Sequence, residues 1–181
     1  HDRDSMIYSD GAGATIIEAT DDEGGILAHE SATFSFDEAK FLYFGNSFNK
    51  NEDPNIRYIK MYGRKIYEFA LSNVPKAMAS CLEKSRIDIT DVKKILIHQA
   101  NEKMDEAIIN RFYKLFKMET PAGIMPMSIH KLGNSSVATV PTLYDLIVNG
   151  ELEGQNLNKG DVIIFASVGA GMNINAIVYK M

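Results

Sequence analysis

Two apolar runs close the chain, Val162 to Ala166 and Ile174 to Tyr179, and the turn between them is too short to hold a helix. Strands joined that way pair antiparallel. Upstream of them, helix-like and strand-like stretches alternate over the last 120 residues or so, and a helical crossover imposes parallel pairing. A chain that satisfies both demands carries a mixed sheet with helices layered on it, an α/β fold.

The elements can be read one by one. After Gly63, the residues Ile66, Ala70, Val74, Ala77, Cys81 and Leu82 fall at helical spacing, and Pro75 should kink or split that helix. Val92 to Ile97 reads as a strand, followed by a helix from Glu102 to Lys117 with Met104, Ala107, Ile108, Phe112 and Leu115 on one face and Asn101 as its cap. Residues 118–133 hold two Pro and two Gly and read as a long loop. A third helix runs from Ser135 to Asn149 with Val137, Val140, Leu143, Leu146 and Ile147 as its stripe, despite Pro141, and Gly150 ends it. At the front, Met6–Ser9, Ala14–Ala19 and Ile26–Phe36 read as strands, with a turn at Asp21 to Gly25. Gly45 to Asn55 is a loop and expected domain connection, and Ile56 to Met61 a short half-buried strand.

Composition removes several classes of function. A net charge of −5 gives no basic footprint for nucleic acid. No apolar run is long enough to span a bilayer. The single cysteine, Cys81, sits on an apolar stripe, reads as a core thiol, and fits a reducing compartment such as the cytoplasm. No CxxC or HExxH spacing is present, so no metal site is expected.

An internal echo bears on domain organisation. Met6-Ile7-Tyr8-Ser9 leads into Gly11-Ala12-Gly13 and then Ala14-Thr15-Ile16-Ile17; Ile163 to Val168 leads into Gly169-Ala170-Gly171 and then Ile174 to Val178. Read as equivalent ends of a duplicated α/β half, the two imply that most of a first half is missing in front of His1. The expected organisation is a remnant of that half at 1–44, a connection at 45–55 and a second half at 56–181.

Two polar clusters stand just after apolar runs: His98-Gln99-Ala100-Asn101 and Gly133-Asn134-Ser135-Ser136. An imidazole and a carboxamide presented at element ends can converge as two donors on one carbonyl oxygen. Taken singly, each has a plainer use: a structural histidine at a strand end, an asparagine capping the next helix, a Gly-Ala-Gly tight turn.

Their joint order resembles the thiolase-fold condensing enzymes, most closely the β-ketoacyl-acyl-carrier-protein synthase III family. The matching stretches are Ser9-Asp10-Gly11-Ala12-Gly13-Ala14, Met61-Tyr62-Gly63-Arg64-Lys65-Ile66-Tyr67, His98-Gln99-Ala100-Asn101, Gly133-Asn134-Ser135-Ser136 with Pro141, and Gly169-Ala170-Gly171. The resemblance runs from about residue 3 to the end and covers roughly the second half of such an enzyme. It implies a thiolase-like layered α/β/α sandwich, C-terminal half plus a remnant of the N-terminal sheet.

The family resemblance also implies a chemistry. A cysteine takes an acyl group from acyl-CoA, and the acyl-enzyme then condenses with a malonyl-carrier protein as carbon dioxide leaves, in fatty acid or polyketide biosynthesis. Carried over by position, His98 and Asn134 are the catalytic donors to the enolate oxygen, and the Gly169-Ala170-Gly171 turn offers backbone N–H to the acyl-enzyme oxyanion. Met61, Gly63, Tyr67, Ala100 and Asn101 would line the pantetheine tunnel, with Lys103, and Arg64 beside it, docking the acidic carrier protein. The acyl-CoA and the carrier protein are substrates, no cofactor is implied, and the full-length protein is expected to be a homodimer.

Cys81 falls where the family has core, so the nucleophile is expected in the missing half and this chain alone should be inactive. Met172-Asn173-Ile174-Asn175 departs from the family's Phe-Thr-Trp-Gly, which leaves the acyl primer open. The alternative is a non-catalytic thiolase-like partner or regulatory subunit. A hydroxymethylglutaryl-CoA-type synthase, which uses a Glu base and replaces the Asn, is disfavoured by Asn134.

Overall fold

A computed structural model describes all of residues 1–181. Its main sheet has four strands in the order β1-β6-β5-β4: β1 (Gly25–Thr33), β4 (Val92–Ile97), β5 (Val162–Gly169) and β6 (Asn173–Lys180). β4 and β5 are parallel, while β6 is antiparallel to both β5 and β1. The mixed sheet required by a short final turn and helical crossovers is the one that forms. A separate two-stranded ribbon pairs β2 (Leu42–Gly45) with β3 (Tyr58–Met61).

Alternation along the strands makes the layers. Ile95 and Ile97 of β4, Ile164 and Ala166 of β5, and Ile174, Ala176 and Val178 of β6 face the larger core, shared with α1 (Gly63–Ser85) and α2 (Glu102–Leu115). Leu96 and Ile163 point the other way and meet Leu143 and Ile147 of α4 (Thr139–Val148). The result is helix, sheet, helix.

α1 and α4 both precede a parallel strand, and α2 follows β4. Each reverses direction against the sheet, so the N-terminal ends of all three helices lie at the carboxyl edge of β4 and β5. Two contacts between α1 and α2 agree: Arg111 donates to the Leu71 carbonyl at 3.2 Å, and Leu115 shares a groove with Ala79 and Glu83.

Several expectations need correction. α1 is one continuous helix through Pro75. A proline leaves the carbonyl four residues earlier without its N–H partner, and here that carbonyl, Leu71, is taken by Arg111. Met6–Ser9 is not a strand: Arg3–Ile7 forms a 3-10 turn, and Tyr8 makes a single bridge to Asn134. Ala14–Ala19 forms no strand either, with Ile16 94% and Ile17 75% exposed. A strand exists only by pairing with a neighbour, and none lies beside these residues. The first Gly-Ala-Gly therefore makes no hairpin, unlike its echo at β5–β6.

The long front strand stops at Thr33, where Phe34 exchanges both backbone hydrogen bonds with Met172. β1, within the expected first-half remnant, pairs with β6 and forms an edge of the sheet that holds β4, β5 and β6. The 45–55 loop closes the β2–β3 ribbon. Residues 118–133 include a short helix, α3 (Ile129–Leu132), and the helix expected from Ser135 opens as a 3-10 turn that leaves Val137 exposed.

α2 ends two residues early; Met104, Ile108 and Phe112 of the expected face are buried, but Leu115 is exposed and Asp105 is fully buried beside them. Neither carboxyl oxygen of Asp105 has a hydrogen-bond partner. Burial, with Glu102 and Glu106 nearby, pushes its pKa up to about 8, so the folded side chain is protonated at neutral pH. In the unfolded chain the group ionises near 3.8, so folded protein binds the extra proton between those values and stability falls as pH rises from about 4 through about 8. Asp105→Asn should remove that slope. Urea denaturation across this range should show the variant gaining on wild type with rising pH; parallel curves would contradict a buried neutral carboxyl.

Candidate active site

The His98 cluster begins where β4 stops. The His98 N–H still bonds the Ala166 carbonyl of β5 at 2.9 Å, which fixes the residue at the carboxyl edge of the parallel pair. That edge is where open α/β sheets present ligand sites. Asn101 follows and caps α2, its Oδ1 accepting from the Met104 N–H at 3.2 Å.

Between them Gln99 is sealed from solvent. Its Nε2 donates to the Pro126 carbonyl at 2.8 Å, and its Oε1 accepts from the N–H groups of Ser128 and Ile129 at 2.8 and 3.0 Å. This one carboxamide fastens the 126–129 loop to the end of β4, and α3 then delivers Gly133 and Asn134.

Asn134 is held from both sides. Its backbone carbonyl accepts from the Ser9 N–H at 2.9 Å, and Ser9 Oγ donates to the Leu132 carbonyl at 2.6 Å. The segment beyond Ser9 lies flat on the entry to α4, so closely that a Cβ on Gly13 would collide with the Pro141 ring and one on Gly11 would stand 2.8 Å from Ser135 Cβ. The front glycines serve close approach, which is what glycine permits.

His98 and Asn134 converge on one residue, Ser136. The Asn134 Oδ1 accepts from the Ser136 N–H at 2.9 Å, and His98 Nδ1 lies 3.1 Å from the Ser136 carbonyl. A carbonyl only accepts, so Nδ1 carries the hydrogen of that contact. Burial lowers the His98 pKa, leaving the ring neutral at neutral pH, with the Nε2 lone pair free. The geometry refines the expectation of two equivalent donors. Asn134 keeps both Nδ2 hydrogens free of any partner in the chain, whereas His98 Nε2 is an acceptor until the ring gains a proton. Ser136, at a positive φ of 54°, was missed as the shared anchor; its place two residues after Asn134 was the only signal.

Gly169-Ala170-Gly171 turns β5 into β6 beside this edge, three residues beyond the Ala166 carbonyl that receives His98. Asn173 closes the turn, with Nδ2 donating to the Ala170 carbonyl at 2.7 Å and Oδ1 accepting from Thr33 Oγ1 at 2.7 Å. A Cβ on Gly171 would run into that Asn173 amide. The four residues after the turn that depart from the family pattern thus have work of their own: Met172 pairs with Phe34, and Asn175 takes Ser31 Oγ at 2.8 Å.

Met61 and Gly63, at the junction of β3 and α1, share the edge with Ala100, Asn101 and the exposed Lys103 at the start of α2. Tyr67 is one turn further along α1 and 42% exposed. Arg64 spends its charge on Glu68, with Nε to Oε1 at 2.8 Å on the open surface. Cys81 is fully buried with Sγ against the Ala176 carbonyl, and burial raises its pKa, so it is a core thiol. No three His, Cys, Asp or Glu side chains gather as a metal site, and no helix is long and apolar enough to cross a membrane.

Comparison with known proteins bears on the family and the fold. Residues 82–181 match the family described as 3-oxoacyl-[acyl-carrier-protein] synthase III C terminal. The β-ketoacyl-[acyl-carrier-protein] synthase III of Oenococcus oeni is 32% identical over 180 residues, covering 97% of this chain and 52% of that protein. The chain thus spans about half the length of the curated relative. Among solved structures, the synthase III of Thermus thermophilus superposes with a TM-score of 0.73 at 20% identity, over 91% of this chain and 49% of the other. That of Aquifex aeolicus gives 0.69 at 24% identity, over 90% and 46%. These two likenesses establish the thiolase-like fold.

Gln99→Leu should test the fastening directly. It strands one buried carbonyl and two buried N–H groups, a loss of about 2–4 kcal/mol in unfolding free energy. It should also shift the Asn134 side-chain amide signals in NMR spectra; unchanged signals would mean that the 126–129 loop holds Asn134 without Gln99.

Proposed function

As the chain belongs to the 3-oxoacyl-[acyl-carrier-protein] synthase III family, C-terminal part, we propose that it supplies the decarboxylation half of an acyltransferase of that kind. The reaction is a decarboxylative Claisen condensation of an acyl-CoA primer with malonyl-carrier protein. The observation that carries the reading is the common anchoring of His98 and Asn134 on Ser136, which leaves Nε2 of one and Nδ2 of the other unpartnered at the carboxyl edge of β4.

The steps follow from those atoms. A thiol outside this chain, since Cys81 is buried, attacks the acyl-CoA carbonyl, and coenzyme A leaves as a thiolate that takes its proton from water. His98 Nε2, as the free lone pair of a neutral ring, takes the thiol proton and becomes a donor. The malonyl thioester oxygen then faces His98 Nε2–H and Asn134 Nδ2–H. The bond to the carboxylate breaks, carbon dioxide departs, and the electron pair moves into an enolate whose oxygen those donors stabilise. The enolate carbon attacks the acyl thioester; its oxyanion is held by backbone N–H of the Gly169–Gly171 turn. Collapse releases 3-oxoacyl-carrier protein and a thiolate, which recovers its proton from His98. The steps call for no metal or organic cofactor.

Met61, Gly63, Tyr67, Ala100 and Asn101 line the pantetheine approach in this reading, and Lys103 meets the acidic carrier protein. Arg64 is the weaker docking candidate, because Glu68 already faces its guanidinium. The single buried thiol suits the cytoplasm. Exposed Ile16 and Ile17 suit burial against further protein in a homodimeric enzyme.

Two measurements on the full-length enzyme check the proposal. Asn134→Ala should cut carbon dioxide release from malonyl thioester by about 10²–10³-fold, with acylation by the primer largely kept. Wild-type release from that variant would sink the mechanism and favour a non-catalytic subunit. Lys103→Glu should slow turnover of carrier-protein substrate by about ten-fold more than turnover of a small thioester; equal effects would remove Lys103 from the docking surface.

A further inference from the structure

The turn from β5 to β6 carries two backbone donors with nothing to bond. Neither the Ala170 N–H nor the Gly171 N–H has an acceptor within the chain, whereas the Met172 N–H is taken by the Phe34 carbonyl at 2.7 Å. Free donors suit an oxyanion, but only while the peptides that carry them hold one orientation. A turn built of Gly169, Ala170 and Gly171 does not guarantee that. Glycine tolerates both signs of φ, so the Ala170–Gly171 peptide can turn over at small cost. It would then present its carbonyl where its N–H had been.

Asn173 removes that freedom. Its Nδ2 donates to the Ala170 carbonyl at 2.7 Å. Across a trans peptide the C=O and the N–H point opposite ways, so pinning this carbonyl on Asn173 turns the Gly171 N–H away from it. The amide is itself aimed, because its Oδ1 accepts from the Thr33 hydroxyl at 2.7 Å and only Nδ2 is left to face a carbonyl. Sheet register sets this pair. Thr33 of β1 stands opposite Asn173 of β6, and two residues along the same ladder Ser31 Oγ donates to Asn175 Oδ1 at 2.8 Å. A hydroxyl on the edge strand thus orients an amide on β6, and the amide orients a peptide of the turn.

We propose that Asn173, held by Thr33, is a positioning residue that keeps the Ala170–Gly171 peptide in the orientation that offers its N–H to the oxyanion of the acyl thioester. This role rests on the condensing-enzyme reading of the site, and it leaves enolate formation to His98 and Asn134.

The test takes the full-length enzyme, measures its acylation, then charges it to completion with acyl primer, adds malonyl-carrier protein and counts 3-oxoacyl product against carbon dioxide. In Asn173→Ala the KM for primer should hold while the acylation rate falls about ten-fold. Once charged, the variant should release carbon dioxide at the wild-type rate yet form several-fold less product for each carbon dioxide. An enolate that fails to attack takes a proton from water and leaves as acetyl-carrier protein. Thr33→Val should shift both readouts in the same sense by a smaller factor, and Thr33→Ser, which keeps the hydroxyl, should restore wild-type values. A product-to-carbon-dioxide ratio unchanged in Asn173→Ala overturns the proposal; should that variant fail to fold, an unchanged ratio in Thr33→Val does the same. Carbon dioxide and product falling in equal proportion would leave Asn173 a merely structural part of the turn and overturn it too. A wild-type enzyme that takes up no acyl primer defeats the reading of the site itself, and shows it before any variant is made.

Discussion

The hydrogen bonds of the Gln99 carboxamide join two parts of the chain that the sheet alone would leave independent. β4 ends at Ile97, and the loop that carries Asn134 begins almost thirty residues later, beyond a whole helix. Backbone pairing fixes β4 against β5 and, through the Ile95 N–H on the Ile124 carbonyl at 2.9 Å, against the stretch just before that loop, but it does not reach residues 126–129. Gln99 closes the gap with a donor to Pro126 and acceptor bonds from Ser128 and Ile129, all out of water. A buried amide so fully used resists rearrangement, because each broken bond leaves an unsatisfied group behind. The residue between the histidine and the asparagine of the cluster is therefore a structural fastening, and the site's geometry is inherited from it.

Direction matters as much as distance. With the N-terminal ends of α1, α2 and α4 at one edge, unpaired helix N–H groups and the positive ends of three helix dipoles gather near His98 and Asn134. An enolate or a tetrahedral oxyanion is negative where the substrate was neutral, so a field of this sign favours the developing charge. The arrangement follows from topology: once β4 and β5 are parallel and joined through helices, the edge cannot be otherwise.

What the sequence disclosed was whatever local pattern decides. The stripe of α1, the apolar runs that form β4, β5 and β6 and the Asn101 cap depend on neighbours within a few residues, and they are where the local pattern put them. What it concealed depends on distant partners. Pro75 stays inside a continuous helix, where Arg111, on another helix, takes the orphaned carbonyl. Residues 14–19 have the composition of a strand but no strand to pair with. Asp105 is polar by type and buried by position, and single-chain periodicity reads it as surface. His98 and Asn134 were visible as members of motifs, but their common anchor is a backbone group of Ser136, and backbone groups leave no letter in a sequence.

The tautomer of His98 sets an order on the proposed reaction. With Nδ1–H committed to the Ser136 carbonyl and the pKa lowered by burial, the resting ring has only a lone pair to offer. Asn134, whose amide never titrates, is a donor from the outset. A malonyl thioester arriving at the resting site would meet one donor and one repelling lone pair, an arrangement poorly suited to an enolate. The same lone pair suits a thiol proton well. Once acylation has delivered that proton, the ring becomes imidazolium and its second N–H completes the pair. Acyl transfer thus prepares decarboxylation, and malonyl groups are spared wasteful loss of carbon dioxide while no acyl group is in place. The coupling needs no moving part. It rests on one carbonyl, that of Ser136, holding one hydrogen on the far side of the ring.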